Sequence, residues 1–264
     1  YQHSLLMLYT VKPSNTFQRR QILAASAAGL GALGLGGLAT QAHAQSGAAA
    51  GAKPLPAVAA WKDPKAMIVH SSSTLETRRA AYGTSVVTPT NRLFVRNNLP
   101  APDASILEQR DAWTVAFEGV KGPRSLTLAD LKTLGVETVA TVLQCSGNGR
   151  GFFPSKPSGT PWQVGAAGCV LWSGVPLRTV IHVLGGAEEG MAYLTGTGGE
   201  KLPEGVDPLT VMVERSVPIK ALDDALLAWE MNGEPLPLAH GGPCASSCRG
   251  TRASTTSNTS SGWP

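Results

Sequence analysis

Apolar residues recur at every second position in Trp113-Thr-Val-Ala-Phe-Glu118, the spacing that turns one face of a strand toward a core. Gly119-Val-Lys-Gly-Pro123 then supplies a turn. The run Thr127-Leu-Ala-Asp-Leu-Lys-Thr-Leu134 opens with a capping-box pattern and stops at Gly135, which predicts a helix. Glu137-Thr-Val-Ala-Thr-Val-Leu-Gln144 is β-prone and is predicted to deliver Cys145 at the C-terminal end of a strand. Pro176 is placed to begin a second helix, Leu177-Arg-Thr-Val-Ile-His-Val-Leu184, closed by Gly185-Gly186, and His182 within it reads as a packing or surface histidine. Shorter strands are predicted near Met191–Thr195, Leu209–Glu214 and Leu226–Met231, separated by Gly- and Pro-rich loops. Few helices, many short strands and no internal repeat predict the α+β class, not a regular βαβ alternation.

The two ends follow other patterns. Residues 1–44 have the layout of an export signal: a basic part with Arg19-Arg20, a mild apolar run Ala24–Thr40, and the small-x-small site Ala42-His43-Ala44. Adjacent arginines ahead of so mild a run predict a twin-arginine signal, hence a periplasmic protein exported already folded around a cofactor. The Ala- and Gly-dominated run is short for a hydrocarbon layer of ~30 Å, so no stable membrane anchor is expected. The chain opens on Tyr1, and Met7 is an alternative start. Residues 45–60 read as a mobile mature N-terminus, with order beginning near Trp61 and a catalytic domain over 61–243.

At 264 residues, 42% apolar and 15% charged, the chain is globular, which excludes disordered and fibrous classes. Its net charge of +4 resembles a nucleic-acid signal until the charges are located. Lys12, Arg19 and Arg20 lie in the leading segment and Arg249 and Arg252 near the end, so residues 45–243 carry −1 and no basic footprint is expected.

The chemistry concentrates at Leu143-Gln-Cys-Ser-Gly-Asn-Gly-Arg150, where a single thiol precedes small residues that let backbone amides approach a ligand. Cys145 reads as a buried inert thiol, as a nucleophile, or as a soft ligand for a thiophilic metal. Zinc is not favoured, because Cys145 and Cys169 are twenty-four residues apart with no CxxC pair.

Leu143–Arg150 resembles the cysteine motif of the sulfite oxidase family of molybdopterin enzymes. Three further blocks resemble that family in order: Thr88-Pro-Thr-Asn-Arg-Leu-Phe-Val-Arg-Asn-Asn-Leu-Pro100, the block from Trp162 to Leu177, and the block from Leu226 to Pro243 that holds His240. The resemblance implies a molybdenum-molybdopterin cofactor, with Cys145 as the metal ligand and Arg96 in a sulfite pocket. It implies that the backbone of Phe94, Val95, Arg96, Asn97 and Asn98 grips the pterin, and that His240 binds the pterin or its phosphate. An oxyanion suits arginine, whose planar donor fork stays charged near neutral pH. Arg150 would add positive potential or tie its loop through an ion pair, and Cys169 reads as a packed free thiol. The implied activity is oxidation of sulfite to sulfate. The chain has no CxxCH haem site, so a separate c-type cytochrome is the expected electron acceptor. A related reductase acting on nitrate or sulfoxides is the alternative. Asn98 stands where many relatives have histidine, and Gly198 where relatives often carry aspartate.

After Pro243 the resemblance stops. Residues 244–264 contain no Val, Leu, Ile or Phe, and ten of the twenty-one are Ser or Thr, so no core strand is expected there. One permitted coding of this tail reads L-R-L-I-V-P-G in the neighbouring frame, a family-like continuation, which predicts a frameshift. The expected consequences are a missing immunoglobulin-like dimerisation domain, a Cys244-x3-Cys248 pair that is an accident of frame, and an inactive product as the alternative function of the chain.

Overall fold

The computed structural model describes residues 4–9, 53–97, 101–197, 204 and 214–248. The expected twin-arginine segment Arg19–Ala44, together with Asn98 and Gly198, lies outside the described residues. In chain order the strands are β1 (Ser4–Tyr9), β2 (Met67–Ser71), β3 (Thr74–Thr77), β4 (Val95–Arg96), β5 (Thr114–Glu118), β6 (Arg124–Thr127), β7 (Glu137–Gln144) and β8 (Ala167–Pro176). There follow β9 (Tyr193–Thr197), β10 (Glu214–Pro218), β11 (Ala225–Met231), β12 (Glu234–Pro235) and β13 (Ala245–Cys248). The α-helices are α1 (Leu128–Lys132) and α2 (Leu177–Val183), so the architecture is α+β.

The strands form three sheets: β10-β9-β1-β5-β6, β12-β11-β8-β7 with β13 also on β11, and β2-β3-β4. The period-two pattern of β5 buries Val115 and Phe117, and the strand turns back into β6 through Gly119 at φ +69. The helix predicted from Thr127 starts as read. Thr127 Oγ1 accepts from Asp130 N at 3.0 Å and Asp130 Oδ2 accepts from Thr127 N at 2.9 Å, while Leu128 and Leu131 are buried. Helix α2 buries Leu177, Val180 and Ile181, leaves His182 on the surface, and ends at Gly185 and Gly186, both in the left-handed region.

The second sheet carries the site. Strand β7 lies antiparallel to β8 along its whole length, from Glu137 opposite Gly174 to Gln144 opposite Ala167. Strand β8 in turn pairs with β11, placing Val175 beside Leu227. The sequence pattern marks no strand over 167–176, because its first half alternates small residues and its second half is buried on both faces. Trp162, Trp172, Met231 and Leu236 fill the core that this sheet shares with Cys145.

Several expectations are corrected. Packed structure is already present ahead of Trp61: Ala59 N donates to Pro56 O at 2.9 Å, closing a turn that buries Ala59 among Met67, Leu75 and Val95. Ala245–Cys248 does form a strand, antiparallel to β11 with Ala245 opposite Ala228. Pairing requires backbone N–H and C=O groups, not large side chains, and the small Ala245 is buried against the sheet. The strand expected near Met191–Thr195 is found at Tyr193–Thr197, while the one expected at Leu209–Glu214 lies, up to residue 213, outside the described residues, with β10 starting at Glu214. Apart from these corrections, Ser4–Tyr9 pairs parallel with β5 and antiparallel with β9.

A methyl group on Gly174 would strike Leu227 O and Ala228 Cα of the neighbouring strand. Gly174→Ala is therefore expected to destabilise the chain by about 3 kcal/mol, read as a lower urea midpoint with unchanged m-value.

Candidate functional site

Strand β7 ends at Gln144, and the next residue enters a loop held from outside by main-chain bonds. Cys145 N donates to Ala166 O at 2.9 Å, Gly149 N to Gln163 O at 2.6 Å, and Gly151 N to Trp162 O at 2.8 Å. Asn148 N donates to Cys145 O at 2.9 Å while Asn148 Oδ1 accepts from Ala166 N at 3.0 Å. Gly149, at φ +89, supplies the left-handed turn that lets this loop lie against residues 162–166. That facing segment is fixed by Glu76, which is fully buried in β3. Its Oε1 accepts from Gln163 N at 2.9 Å and Gly165 N at 2.8 Å, and its Oε2 contacts His70 Nε2 at 2.7 Å. Burial pushes the Glu76 carboxyl up, but the bonds from His70, Gly165 and Gln163 together hold it below its ordinary value.

Cys145 is buried in one cluster with Phe94, Trp162, Trp172 and Leu236. Arg96, in β4, comes from another sheet yet is electrostatically coupled to both Cys145 and Arg150. Burial first, then the charge of Arg150, lower the Arg96 guanidinium from its ordinary value, and Cys145 opposes them. The Arg96 guanidinium nonetheless stays cationic at neutral pH. Arg150 donates to Thr160 O at 3.4 Å, and its guanidinium lies against Gly147 and Gly159, where a Cβ would collide with it. The tether expected for Arg150 is thus a backbone carbonyl, not a carboxylate.

The segment before β4 is locked to the turn that holds His240. Lys62, only 2% exposed, donates from Nζ to Thr90 O and Leu93 O at 2.8 Å each, and its Nζ lies 3.0 Å from His240 Nε2. Asn97 Nδ2 donates to Ala239 O at 3.4 Å, and the Trp61 ring packs edge-on against His240 and under the Lys62 ammonium. Burial, and then the Lys62 charge, lower His240 well below its ordinary value, so its imidazole is neutral. Burial lowers Lys62 to about 7.

Arg96 is thus within electrostatic reach of both Cys145 and Arg150, and Asn97 is joined to the His240 turn. Phe94 packs edge-to-face on Trp162 beside Cys145. Val95 is wholly buried in a different cluster, with Leu75 and Ala239, and pairs with Leu75 in the third sheet. Cys169 is a free, partly buried thiol. Sequence reasoning missed the roles of Lys62 and Trp162. A tryptophan in an apolar context carries no hint that its N–H lacks a partner, and a lone lysine near a disordered-looking segment reads as solvated.

That orphaned N–H tests whether the implied cofactor fits. Trp162 Nε1 is buried with no hydrogen-bond partner, in the same cluster as Cys145; Trp113 Nε1 is also unpartnered, but it packs on the other large cluster. A buried N–H left unmade costs about 1–3 kcal/mol, which a bound polar group would recover. Among the described residues no three His, Cys, Asp or Glu side chains are grouped to hold a bare ion. A metal at Cys145 would therefore need most of its ligands from a cofactor of its own. One thiol, two guanidiniums, a neutral imidazole and an unpaired indole N–H form a donor set that fits an anionic metal-pterin group. A separate cavity of about 490 Å³, lined by Arg110, Lys132 and Trp229 among others, includes none of these residues.

A family model described as the oxidoreductase molybdopterin-binding domain matches residues 99–253. The match includes Cys145, Arg150, Trp162 and His240, begins after Arg96, and continues ten residues past Pro243. The mitochondrial sulfite oxidase of Drosophila melanogaster is 32% identical over 162 residues, covering 59% of this chain and 27% of that protein. The NADPH nitrate reductase of Phytophthora infestans is also 32% identical, over 170 residues, covering 61% of this chain and 18% of that protein. Among solved structures, the sulfane dehydrogenase SoxCD from Paracoccus pantotrophus superposes with a TM-score of 0.58 at 22% identity, covering 72% of this chain and 46% of that one, a likeness of fold. The chain thus spans less than half the length of each of these relatives.

Because the folded-state carboxyl of Glu76 lies below its ordinary value of 4.5, its contribution to stability is full above that pH and is lost as pH falls through the folded value. The stability advantage of the wild type over Glu76→Gln, measured by urea unfolding, is expected to be present at pH 7 and to shrink steadily below pH 4.5.

Proposed function

This chain belongs to the sulfite oxidase family of molybdopterin-binding oxidoreductases, and we propose that it is the catalytic part of a periplasmic, molybdenum-dependent sulfite dehydrogenase. In the reaction, sulfite and water give sulfate, two protons and two electrons, and the electrons leave one at a time to a c-type cytochrome. The observation that supports this reading is the single buried thiol of Cys145 together with the Arg96 guanidinium, which feels the charge of both Cys145 and Arg150. The export pattern of residues 1–44 supports the compartment, since a protein folded around such a cofactor suits the twin-arginine route.

The metal-pterin group, when bound, supplies the oxygen-atom transfer and the two-electron chemistry. The chain's own residues bind and orient. Cys145 offers a soft sulfur from a loop immobilised on both sides, so its position costs little reorganisation. Arg96 and Arg150 draw an oxyanion toward that sulfur and hold it through directional N–H donors. The backbone of Phe94–Asn97 and the imidazole of His240, joined through Asn97 and Lys62, offer one continuous wall to the pterin end. Trp162 contributes an N–H from the apolar side of the pocket, which also keeps bulk water away from Cys145. Identity does not separate sulfite from nitrate, since a sulfite oxidase and a nitrate reductase match equally well. The context Leu143–Arg150 and the paired cations favour sulfite.

The test measures molybdenum content, sulfite-dependent reduction of cytochrome c, and nitrate-dependent oxidation of a reduced dye. The expected result is bound molybdenum with sulfite activity only. Cys145→Ser is expected to abolish turnover, Arg96→Gln to lower kcat/KM for sulfite about 10- to 100-fold mainly through KM, and the surface variant His182→Gln to change neither. Nitrate activity without sulfite activity, or a purified chain that takes up no molybdenum, would refute the assignment.

A further inference from the structure

Lys62 lies outside all the sequence blocks that define the site, yet it is the buried cation closest to His240, at 3.0 Å from Nε2. Its ammonium has three protons to place. Two go to the carbonyls of Thr90 and Leu93, groups that only accept, each at 2.8 Å. The third faces Nε2 of a ring that burial keeps neutral. An ammonium has no lone pair, so Nε2 must be the accepting nitrogen and the ring proton must reside on Nδ1. Among the described residues Nδ1 has no hydrogen-bond partner, and His240 is not wholly enclosed, at 7% exposed.

We propose that Lys62 is a positioning residue that fixes His240 in its Nδ1–H tautomer, so that the imidazole meets the cofactor as a hydrogen-bond donor of fixed orientation. The inference rests on the reading of His240 as a cofactor-binding residue. A donor is what an anionic or carbonyl-rich group requires, and the opposite tautomer would present a lone pair to it. The same ammonium tethers Thr90 and Leu93, just ahead of Phe94–Asn97, so one side chain sets both the ring and the strand that form this wall. The Trp61 ring, 4.4 Å from Nζ, supports the charge of Lys62, which forms no ion pair with a carboxylate among the described residues.

The tautomer is read directly from the two ring-nitrogen shifts of His240 in long-range proton–nitrogen correlation spectra of the full chain with labelled histidine, assigned by comparison with His240→Asn. At pH 6, below the value of about 7 at which Lys62 loses its proton, the wild type is expected to show a protonated Nδ1 and a bare Nε2. Lys62→Met is expected to lose the Nδ1–H form and to retain several-fold less pterin, measured as the fluorescent product released on denaturation. A wild-type Nε2–H tautomer would overturn the proposal, and that measurement stands even if Lys62→Met fails to fold. A folded Lys62→Met that keeps Nδ1–H, or that changes tautomer with full pterin retention, would overturn it as well. Full pterin retention in His240→Asn would instead refute the cofactor reading of His240, while the tautomer result for Lys62 would stand by itself.

Discussion

The structure depends on the main-chain bond between Cys145 N and Ala166 O. It joins the end of β7 to the lead-in of β8 at the point where the chemistry sits. Without it the Cys145 thiol would ride on a glycine-rich loop with no fixed position. With it, and with the parallel bonds from Gly149 and Gly151, the loop is stitched residue by residue to 162–166. That segment is itself fixed by Glu76 of another sheet, so rigidity passes from β3 to 162–166 and from there to Cys145. A buried carboxylate accepting two backbone N–H groups and a histidine is costly to place and strongly destabilising to break, which makes it a precise spacer.

A second clamp, built on Lys62, does for the opposite wall what Glu76 does for the cysteine loop. Two buried charges, one acidic and one basic, thus tie together segments far apart in sequence: Glu76 with Gln163 and Gly165, Lys62 with Thr90, Leu93 and His240. Neither forms an ion pair with the other's segment. Each spends two hydrogen bonds on main-chain groups that would otherwise lie buried and unsatisfied, and a third contact on a histidine ring. Arg96, half-buried, is lowered from its ordinary value by burial and by the charge of Arg150, while Cys145 opposes them.

The sequence was informative where periodicity and local chemistry coincide. Strand β7 has the bounds its β-prone run suggests, α1 is capped by Thr127 and Asp130 as its pattern reads, and α2 starts behind Pro176. Cys145 stood out by its glycine-rich neighbours, which by themselves left a packed thiol, a nucleophile and a metal ligand open. Strand β8 escaped notice because a strand buried on both faces has no alternation. The strand at Ala245–Cys248 escaped because its side chains are small and polar while its pairing is carried by the backbone. Lys62 and Trp162 could not be read at all: their importance lies in what they are or are not bonded to, and that is a property of the fold. Asn98, by contrast, was legible as a departure from the family pattern and lies outside the described residues.

The central claim is that Cys145 is a ligand of molybdenum and not a packed thiol. X-ray absorption at the molybdenum edge, on metal-loaded wild type and Cys145→Ser, measures this by counting sulfur neighbours. The account predicts one fewer sulfur around the metal in the variant. An unchanged sulfur count in a metal-containing Cys145→Ser chain would contradict it.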